Sequence, residues 1–224
     1  MTIHFQKELE KIKKRILSLG AMVEERVYLA VKAIEKNEGQ LAERIINSDY
    51  EIDEMEVEIE EECLKVMALH QPVAVDLRFL VAVIKINNDL ERIGDQAVNI
   101  AERIQSWAKY KTKGFIFDYS IMAEKVQSML KKSLDALVNL DVGLAFSVLT
   151  MDDEVDNIQR DAYSQIKRAM REDPENMTYL INLFLISRHL ERIADHTTNI
   201  SEEVIYLIEG EIVRHGKFSI ETDE

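Results

Sequence analysis

One stretch of this sequence occurs twice, and that repetition constrains the fold more than any other feature. Residues 90–100 and 190–200 share the pattern Leu-Glu-Arg-Ile-(Gly/Ala)-Asp-x-x-x-Asn-Ile at an offset of 100 residues. An Asp-x-x-x-Asp segment at 49–53 recurs at 152–156, and the two prolines, Pro72 and Pro174, lie at a similar offset. Three landmarks near one offset indicate an internal duplication. The chain of 224 residues should therefore fold as two similar units.

The repeated units are predicted to be helical. The chain contains only 7 glycines and 2 prolines, too few for folds built from many tight turns. The prolines and Gly39, Gly114 and Gly143 separate long segments with helical periodicity. They predict six helices, at residues 5–36, 40–70, 73–109, 117–140, 143–172 and 175–209. Long helices with short connections pack antiparallel, so we expect an all-α fold of two tandem, sequence-related three-helix antiparallel bundles, with domains at residues 1–112 and 113–224.

Charge and composition exclude several functional classes. The net charge is −14 and the pI is about 4.9, which disfavours nucleic-acid binding and unaided binding to anionic lipid. The longest uncharged stretch, residues 176–187, has only 12 residues, whereas a membrane-spanning helix needs about 20. The N-terminus lacks the apolar segment of a signal peptide. The single cysteine, Cys63, is expected to be a buried apolar residue. We therefore expect a cytoplasmic protein without direct membrane insertion.

The third predicted helix has two opposed faces. A helical projection at about 100° per residue places apolar residues from Val83 to Ile104 on one face. Glu91, Asp95 and Asn99 fall nearly opposite. The second predicted helix likewise places Asp49 and Asp53 away from its apolar face. One face of each helix is therefore predicted to enter the core while the other carries carboxylates.

Carboxylates four residues apart on one helix repel each other, yet this sequence contains four such pairs at matched positions. They are Asp49/Asp53, Glu91/Asp95, Asp152/Asp156 and Glu191/Asp195. Because the second and third helices of a unit are neighbours, two pairs could converge in each half. A cation would then offset the repulsion. All-oxygen ligands favour Mg²⁺, Ca²⁺, Mn²⁺ or iron.

Other residues leave the identity of that cation open. Arg92 and Arg192 follow the acids directly, so an ion-pair network is an alternative to a metal. Asn99 and Asn199 could add amide oxygens, and His189 could add a ring nitrogen. The sequence contains no Glu-x-x-His segment, the usual signature of di-iron helical bundles.

The doubled motif, with an Asp-x-x-x-Asp segment on each preceding helix, resembles the PhoU family. These are accessory regulators of bacterial phosphate transport. Val75-Asp76-Leu77-Arg78-Phe79-Leu80 also matches their pattern, and the resemblance covers roughly residues 5–210.

The resemblance implies two three-helix bundles that carry iron or zinc clusters at the surface. The implied metal ligands are Asp49, Asp53, Glu91, Asp95, Asp152, Asp156, Glu191 and Asp195, with Asn99, Asn199 and His189 as weaker candidates. No organic cofactor is implied.

The resemblance also implies a non-enzymatic role. Such a protein would link a phosphate ABC transporter ATPase to a sensor histidine kinase and repress the phosphate-starvation response. A homodimer is expected because long amphipathic helices often leave an apolar seam. Two alternatives stay open: a carboxylate-ligated metalloenzyme or metal-storage bundle, and a helical scaffold whose acidic faces only confer solubility.

Overall fold

The computed structural model describes residues 3–107 and 115–213. Within these ranges the secondary structure is helical, and it contains no strand. A short 3₁₀ turn at Pro174–Asn176 precedes the last helix. The α-helices are α1 (Ile3–Lys36), α2 (Gly39–Asn47), α3 (Tyr50–His70), α4 (Val75–Trp107), α5 (Ser120–Asn139), α6 (Val142–Glu172) and α7 (Met177–Glu209).

The fold class is the one predicted, with one local difference. The helix predicted at 40–70 is interrupted at Ser48 and Asp49, which gives α2 and α3. The buried Arg26 of α1 stabilises the interruption. Its guanidinium donates to the carbonyl oxygen of Ile45 at 2.8 Å, to that of Ser48 at 3.0 Å, and to the Ser48 hydroxyl. These bonds satisfy acceptors that a continuous helix would have used internally.

Each half is a bundle, and the two halves share one core. Helix α1 packs with α2, α3 and α4, and α5 packs with α6 and α7. The halves meet where α4 packs on α7 and α1 packs on α5. Gly20 marks the second contact, since a Cβ there would lie 2.8 Å from Cδ2 of Leu134. The predicted boundary between residues 112 and 113 falls outside the described residues.

The apolar faces predicted for the helices form that core. In α4 the predicted apolar face is completely buried, from Val83 through Leu90 to Ile104. In α3, Ile52, Ile59 and Cys63 are completely buried, and burial raises the pKa of the Cys63 thiol to about 12. The core thus fixes the rotation of each helix, and with it the direction in which the acidic residues point.

Among the described residues, no helix has both the length and the low polarity that a membrane span requires.

Candidate metal centre

The first group of carboxylates lies where α3 packs on α4. We define acidic cluster 1 as Asp49 and Asp53 of α3 and its N-terminal flank, with Glu91 and Asp95 of α4. Burial raises the pKa of Asp49, and the charges of Asp53 and Asp95 raise it further. Burial also raises the pKa of Glu91, with additional contributions from Asp95 and Asp53. Carboxylates of α3 and α4 therefore act on one another electrostatically.

A close approach of the helix backbones allows this. Gly94 lies between Glu91 and Asp95 on the buried side of α4, and a Cβ there would lie 3.1 Å from Cδ1 of Ile52. Because Ile52 lies between Asp49 and Asp53, the two acidic pairs flank the point of closest approach.

Two arginines act on acidic cluster 1: Arg26 lowers the pKa of Asp49, and Arg92 lies beside Glu91 and Asp95. Nε of Arg92 lies 3.4 Å from Oε2 of Glu91, and its Nη1 donates to Oδ2 of Asp95 at 3.3 Å. Oε2 of Glu91 is nevertheless buried and accepts no hydrogen bond. Arg92 lies half-exposed beside the carboxylates on their own helix, so the predicted ion-pair network exists but leaves one acceptor unsatisfied.

The second group lies where α6 packs on α7. Acidic cluster 2 comprises Asp152 and Asp156 of α6 with Glu191 and Asp195 of α7. Burial, followed by the charges of Asp195, Asp156, Asp153 and Glu191, raises the pKa of Asp152 to about 6. Oδ1 of Asp152 is buried without a hydrogen-bond partner, which repeats the situation of Glu91 in the other half.

The α7 carboxylates of acidic cluster 2 also have raised pKa values. Burial raises the pKa of Glu191 and of Asp195, and the charge of Asp156 raises both further. Arg188 and Arg192 act in the opposite direction. Burial, together with mutual repulsion, thus exceeds local compensation in both clusters, and a nearby positive ion would lower these pKa values.

As placed, no group of three or more His, Cys, Asp or Glu side chains in residues 3–107 and 115–213 forms a ready metal site. The carboxylates of each helix pair nevertheless act on one another electrostatically. The buried oxygens of Glu91 and Asp152 that accept no hydrogen bond fit acceptors for a hard cation.

Comparison with known proteins identifies the family. The PhoU domain matches residues 16–104 and 119–204, once in each half. This chain belongs to the PhoU family. Two relatives carry the name phosphate-specific transport system accessory protein PhoU homolog. The one from Clostridium acetobutylicum is 38% identical over 93% of this chain and 96% of its own length, and that from Aquifex aeolicus is 39% identical over 93% and 95%.

Crystal structures of two PhoU proteins have the same fold. PhoU from Pseudomonas aeruginosa superposes with a TM-score of 0.88 at 36% identity, covering 92% of this chain and all of that one. The phosphate transport system regulatory protein PhoU from Streptococcus pneumoniae gives 0.87 at 30% identity, covering 94% and 100%. The arrangement of two PhoU repeats is therefore shared along nearly the entire chain.

The weaker candidate ligands take different positions in this PhoU-family chain. Nδ1 of His189 lies 2.9 Å from Oε1 of Gln96, and Asn199 donates to Asp89 at 3.1 Å. Both contacts cross from α7 to α4. Burial, with the charges of Arg103, Arg192 and Arg188, lowers the pKa of His189 to about 4. Asn99 is half-buried, one turn beyond Asp95.

Two acidic residues that the sequence analysis did not select also belong to these sites. Glu56 acts on Glu91 across the helix pair, and its own pKa is raised by burial and by Glu60 and Asp53. Asp153 acts on Asp152. Glu56 lies on the same face of the second predicted helix as Asp49 and Asp53, so the sequence pattern could have identified it. The motif comparison favoured only residues repeated in both halves.

Proposed function

We propose that this chain is a cytoplasmic, non-enzymatic regulator of phosphate homeostasis that acts with a phosphate-specific transport system. The observation that carries the proposal is the PhoU domain match in both halves. It is joined by relatives named as accessory proteins of phosphate-specific transport that align over 93% of the chain. An accessory role agrees with a molecule whose most distinctive surfaces are charged helix faces.

In this proposal the chain links a phosphate ABC transporter ATPase to a sensor histidine kinase and represses the starvation response when phosphate is plentiful. Recruitment to the membrane would occur through these proteins, because a surface with a net charge of −14 is repelled by anionic lipid. We also propose a homodimer, which sedimentation equilibrium tests directly.

The acidic clusters supply the second part of the proposal, the binding of metal ions. Acidic cluster 1 would offer Asp49, Asp53, Glu91 and Asp95, and acidic cluster 2 would offer Asp152, Asp156, Glu191 and Asp195. The family resemblance implies iron or zinc, and the all-oxygen ligand sets also suit manganese, magnesium or calcium. The bound ion would neutralise the carboxylates and hold α3 to α4 and α6 to α7.

A cellular experiment tests the regulatory role. Deletion of the gene should derepress phosphate-responsive transcription in phosphate-replete medium, and the wild-type gene should restore repression. A pull-down under the same conditions should recover both the transporter ATPase and the kinase. Unchanged transcription after deletion, or a pull-down without either partner, would refute the proposal.

Elemental analysis tests the metal sites. Protein stripped with EDTA is loaded with Fe²⁺, Zn²⁺ or Mn²⁺ and desalted before the bound ions are counted. Glu91→Gln should remove the ions of acidic cluster 1, and Asp152→Asn those of acidic cluster 2. Glu61→Gln is the matched control because Glu61 is an exposed residue of α3. Fewer than one ion per wild-type chain would favour the scaffold alternative, in which the acidic faces only confer solubility.

The same variants separate regulation from metalloenzyme activity. If the clusters serve catalysis, loaded wild-type protein should show ferroxidase or phosphatase turnover that Glu91→Gln abolishes. We expect no turnover, together with a measurable effect of the variants on transcriptional repression.

A further inference from the structure

The contact between α4 and α7 has approximate two-fold symmetry. Gln96 contacts His189, and Asp89 contacts His196, with Nδ1 of that histidine 2.8 Å from Oδ1 of Asp89. Position 89 corresponds to 189, and 96 to 196, at the repeat offset of 100. The two helices are therefore antiparallel, and a residue on one side of the contact has a counterpart on the other.

Charged residues are paired differently on the two symmetry-related sides of the contact between α4 and α7. On one side, Nζ of Lys85 lies 3.0 and 3.1 Å from the two carboxylate oxygens of Glu203, which is buried. The counterparts of these residues are Leu185 and Arg103. The ion pair is thus replaced by a leucine and an arginine, so the other side has a cation without the matching acid.

More positive charge gathers around that arginine. We define the basic cluster as Arg103 of α4 with Arg188, His189 and Arg192 of α7. The three guanidinium groups all act on the His189 ring. Three of these positions have a different charge in the other repeat, where Arg103, Arg188 and His189 correspond to Glu203, Asn88 and Asp89. Duplication alone would not have produced this cluster.

The carboxylates near the basic cluster compensate it only partly. Nη2 of Arg103 lies 3.2 Å from Oε2 of Glu102, the preceding residue. Its Nε is buried and donates to no acceptor, which is unfavourable for a polar group removed from water. Glu191 and Asp195 act on Arg188 and Arg192 through space. No ion pair within 4.0 Å joins either of those arginines to a carboxylate in residues 3–107 and 115–213.

We propose that the basic cluster binds a small dianionic oxyanion, inorganic phosphate being the one to test. Guanidinium groups donate two parallel hydrogen bonds to such oxyanions, and Nε of Arg103 is a donor without an acceptor. The net charge of −14 repels nucleic acids and other large polyanions. The basic cluster should therefore bind a small anion in preference to a large one. The inference goes beyond the proposed function and requires neither metal nor partner.

A titration of the full-length, EDTA-treated protein tests the site. Inorganic phosphate is added at constant ionic strength, maintained with chloride, while the arginine Nε–Hε resonances are followed by NMR. We expect a saturable shift of the Arg103 resonance with one phosphate per chain. Sulfate should compete and chloride should not. Failure to saturate, or an equal response to chloride, would overturn the inference.

Variants locate the binding. Arg103→Gln and Arg188→Gln should each weaken phosphate binding at least tenfold. Arg168→Gln should leave it unchanged, because Arg168 is an exposed arginine of α6 remote in sequence from the cluster. Arg188 is itself exposed, so its replacement should not prevent folding. Unchanged affinity in both cluster variants would assign any binding to another place.

A second design leaves every arginine in place. Leu185→Glu would give Arg103 the carboxylate that Glu203 gives Lys85, and this internal acid should exclude phosphate. We expect loss of the saturable shift with a retained helical circular dichroism spectrum. A folded Leu185→Glu protein that binds phosphate as tightly as wild type would contradict the proposed site.

Discussion

Gly94 of α4 lies against Ile52 of α3, and a Cβ at position 94 would approach Cδ1 of that isoleucine to 3.1 Å. In the second half the corresponding residues are Ala194 and Val155, both completely buried. One half combines the larger apolar side chain with glycine, and the other combines the smaller one with alanine. The total number of side-chain carbons is the same in the two pairs, so the two positions compensate each other in size.

This compensation predicts the behaviour of two substitutions. Gly94→Ala should lower the free energy of unfolding by about 1 kcal/mol, because overpacking exceeds the gain of about 1 kcal/mol in helix propensity. Adding Ile52→Val should recover most of that loss, since it reproduces the pair of the second half. Urea denaturation of the two single variants and the double variant measures the coupling. Strictly additive effects would show that the two side chains do not compete for space.

Gly39→Ala is the control for this pair. A Cβ at Gly39 meets nothing within 4 Å, so the substitution should not destabilise the protein.

Much of the fold could be predicted from the sequence because its determinants are local or repeated. The apolar period of α4 identified a face that is buried from Val83 to Ile104, and the doubled motif required two related bundles. The break at Ser48 could not be predicted, because no glycine or proline marks it. Its stabilising donor, Arg26, lies on another helix.

Some features of the candidate site could likewise be predicted from the sequence, and others could not. The electrostatic interaction between the acidic residues of α3 and α4 follows from adjacency of helices within one half, which short connections imply. The positions of His189 and Asn199 depend instead on how α4 packs on α7. Nothing in the periodicity of either helix specifies the rotation and register of that contact between halves.

The break between α2 and α3 should depend on Arg26. Arg26→Met would keep an apolar stem but remove the donors to the carbonyl oxygens of Ile45 and Ser48. Hydrogen bonds from a charged donor contribute about 1.5–3 kcal/mol each, so the free energy of unfolding should fall by about 2–4 kcal/mol. Hydrogen exchange should accelerate most in α2. An equal loss in the control variant Arg168→Met, or unchanged exchange in α2, would argue against this role.

The end of α7 should depend on Gly210. Its φ of +79° is left-handed, and a Cβ would lie 2.0 Å from Nη1 of Arg78. Gly210→Ala should therefore lower the free energy of unfolding by about 1–3 kcal/mol through backbone strain and displacement of the arginine. In an Arg78→Ala background only the backbone contribution, about 1 kcal/mol, should remain. Thermal unfolding of wild type, the two single variants and the double variant would separate the backbone contribution from the steric one. Equal losses of stability in both backgrounds would exclude a steric role for Arg78.

Asp152 should destabilise the metal-free protein above pH 6. Its pKa is about 6 in the folded chain, owing to burial and to Asp195, Asp156, Asp153 and Glu191, whereas an unfolded aspartate titrates near 4. The folded state therefore binds the proton more tightly. Stability falls as the pH rises from about 4 to about 6, and it stays reduced above that range. Asp152→Asn should then raise the free energy of unfolding at pH 7.5 by roughly 1 kcal/mol, a value discounted for partial solvent exposure.

The effect of Asp152→Asn on the free energy of unfolding should disappear at low pH and change sign when metal is present. At pH 3.5 the stabilisation of Asp152→Asn should vanish, because Asp152 is then protonated in both folded and unfolded wild-type chains. With Zn²⁺ or Mn²⁺ at pH 7.5, wild type should gain stability that the variant does not, since bound ligand stabilises only the state that binds it. Urea denaturation with EDTA or with metal measures both effects. If Asp152 only confers solubility, the difference in free energy of unfolding between wild type and Asp152→Asn should be independent of metal. If Asp152 is a metal ligand, its carboxylate should destabilise the metal-free protein and stabilise the metal-bound one.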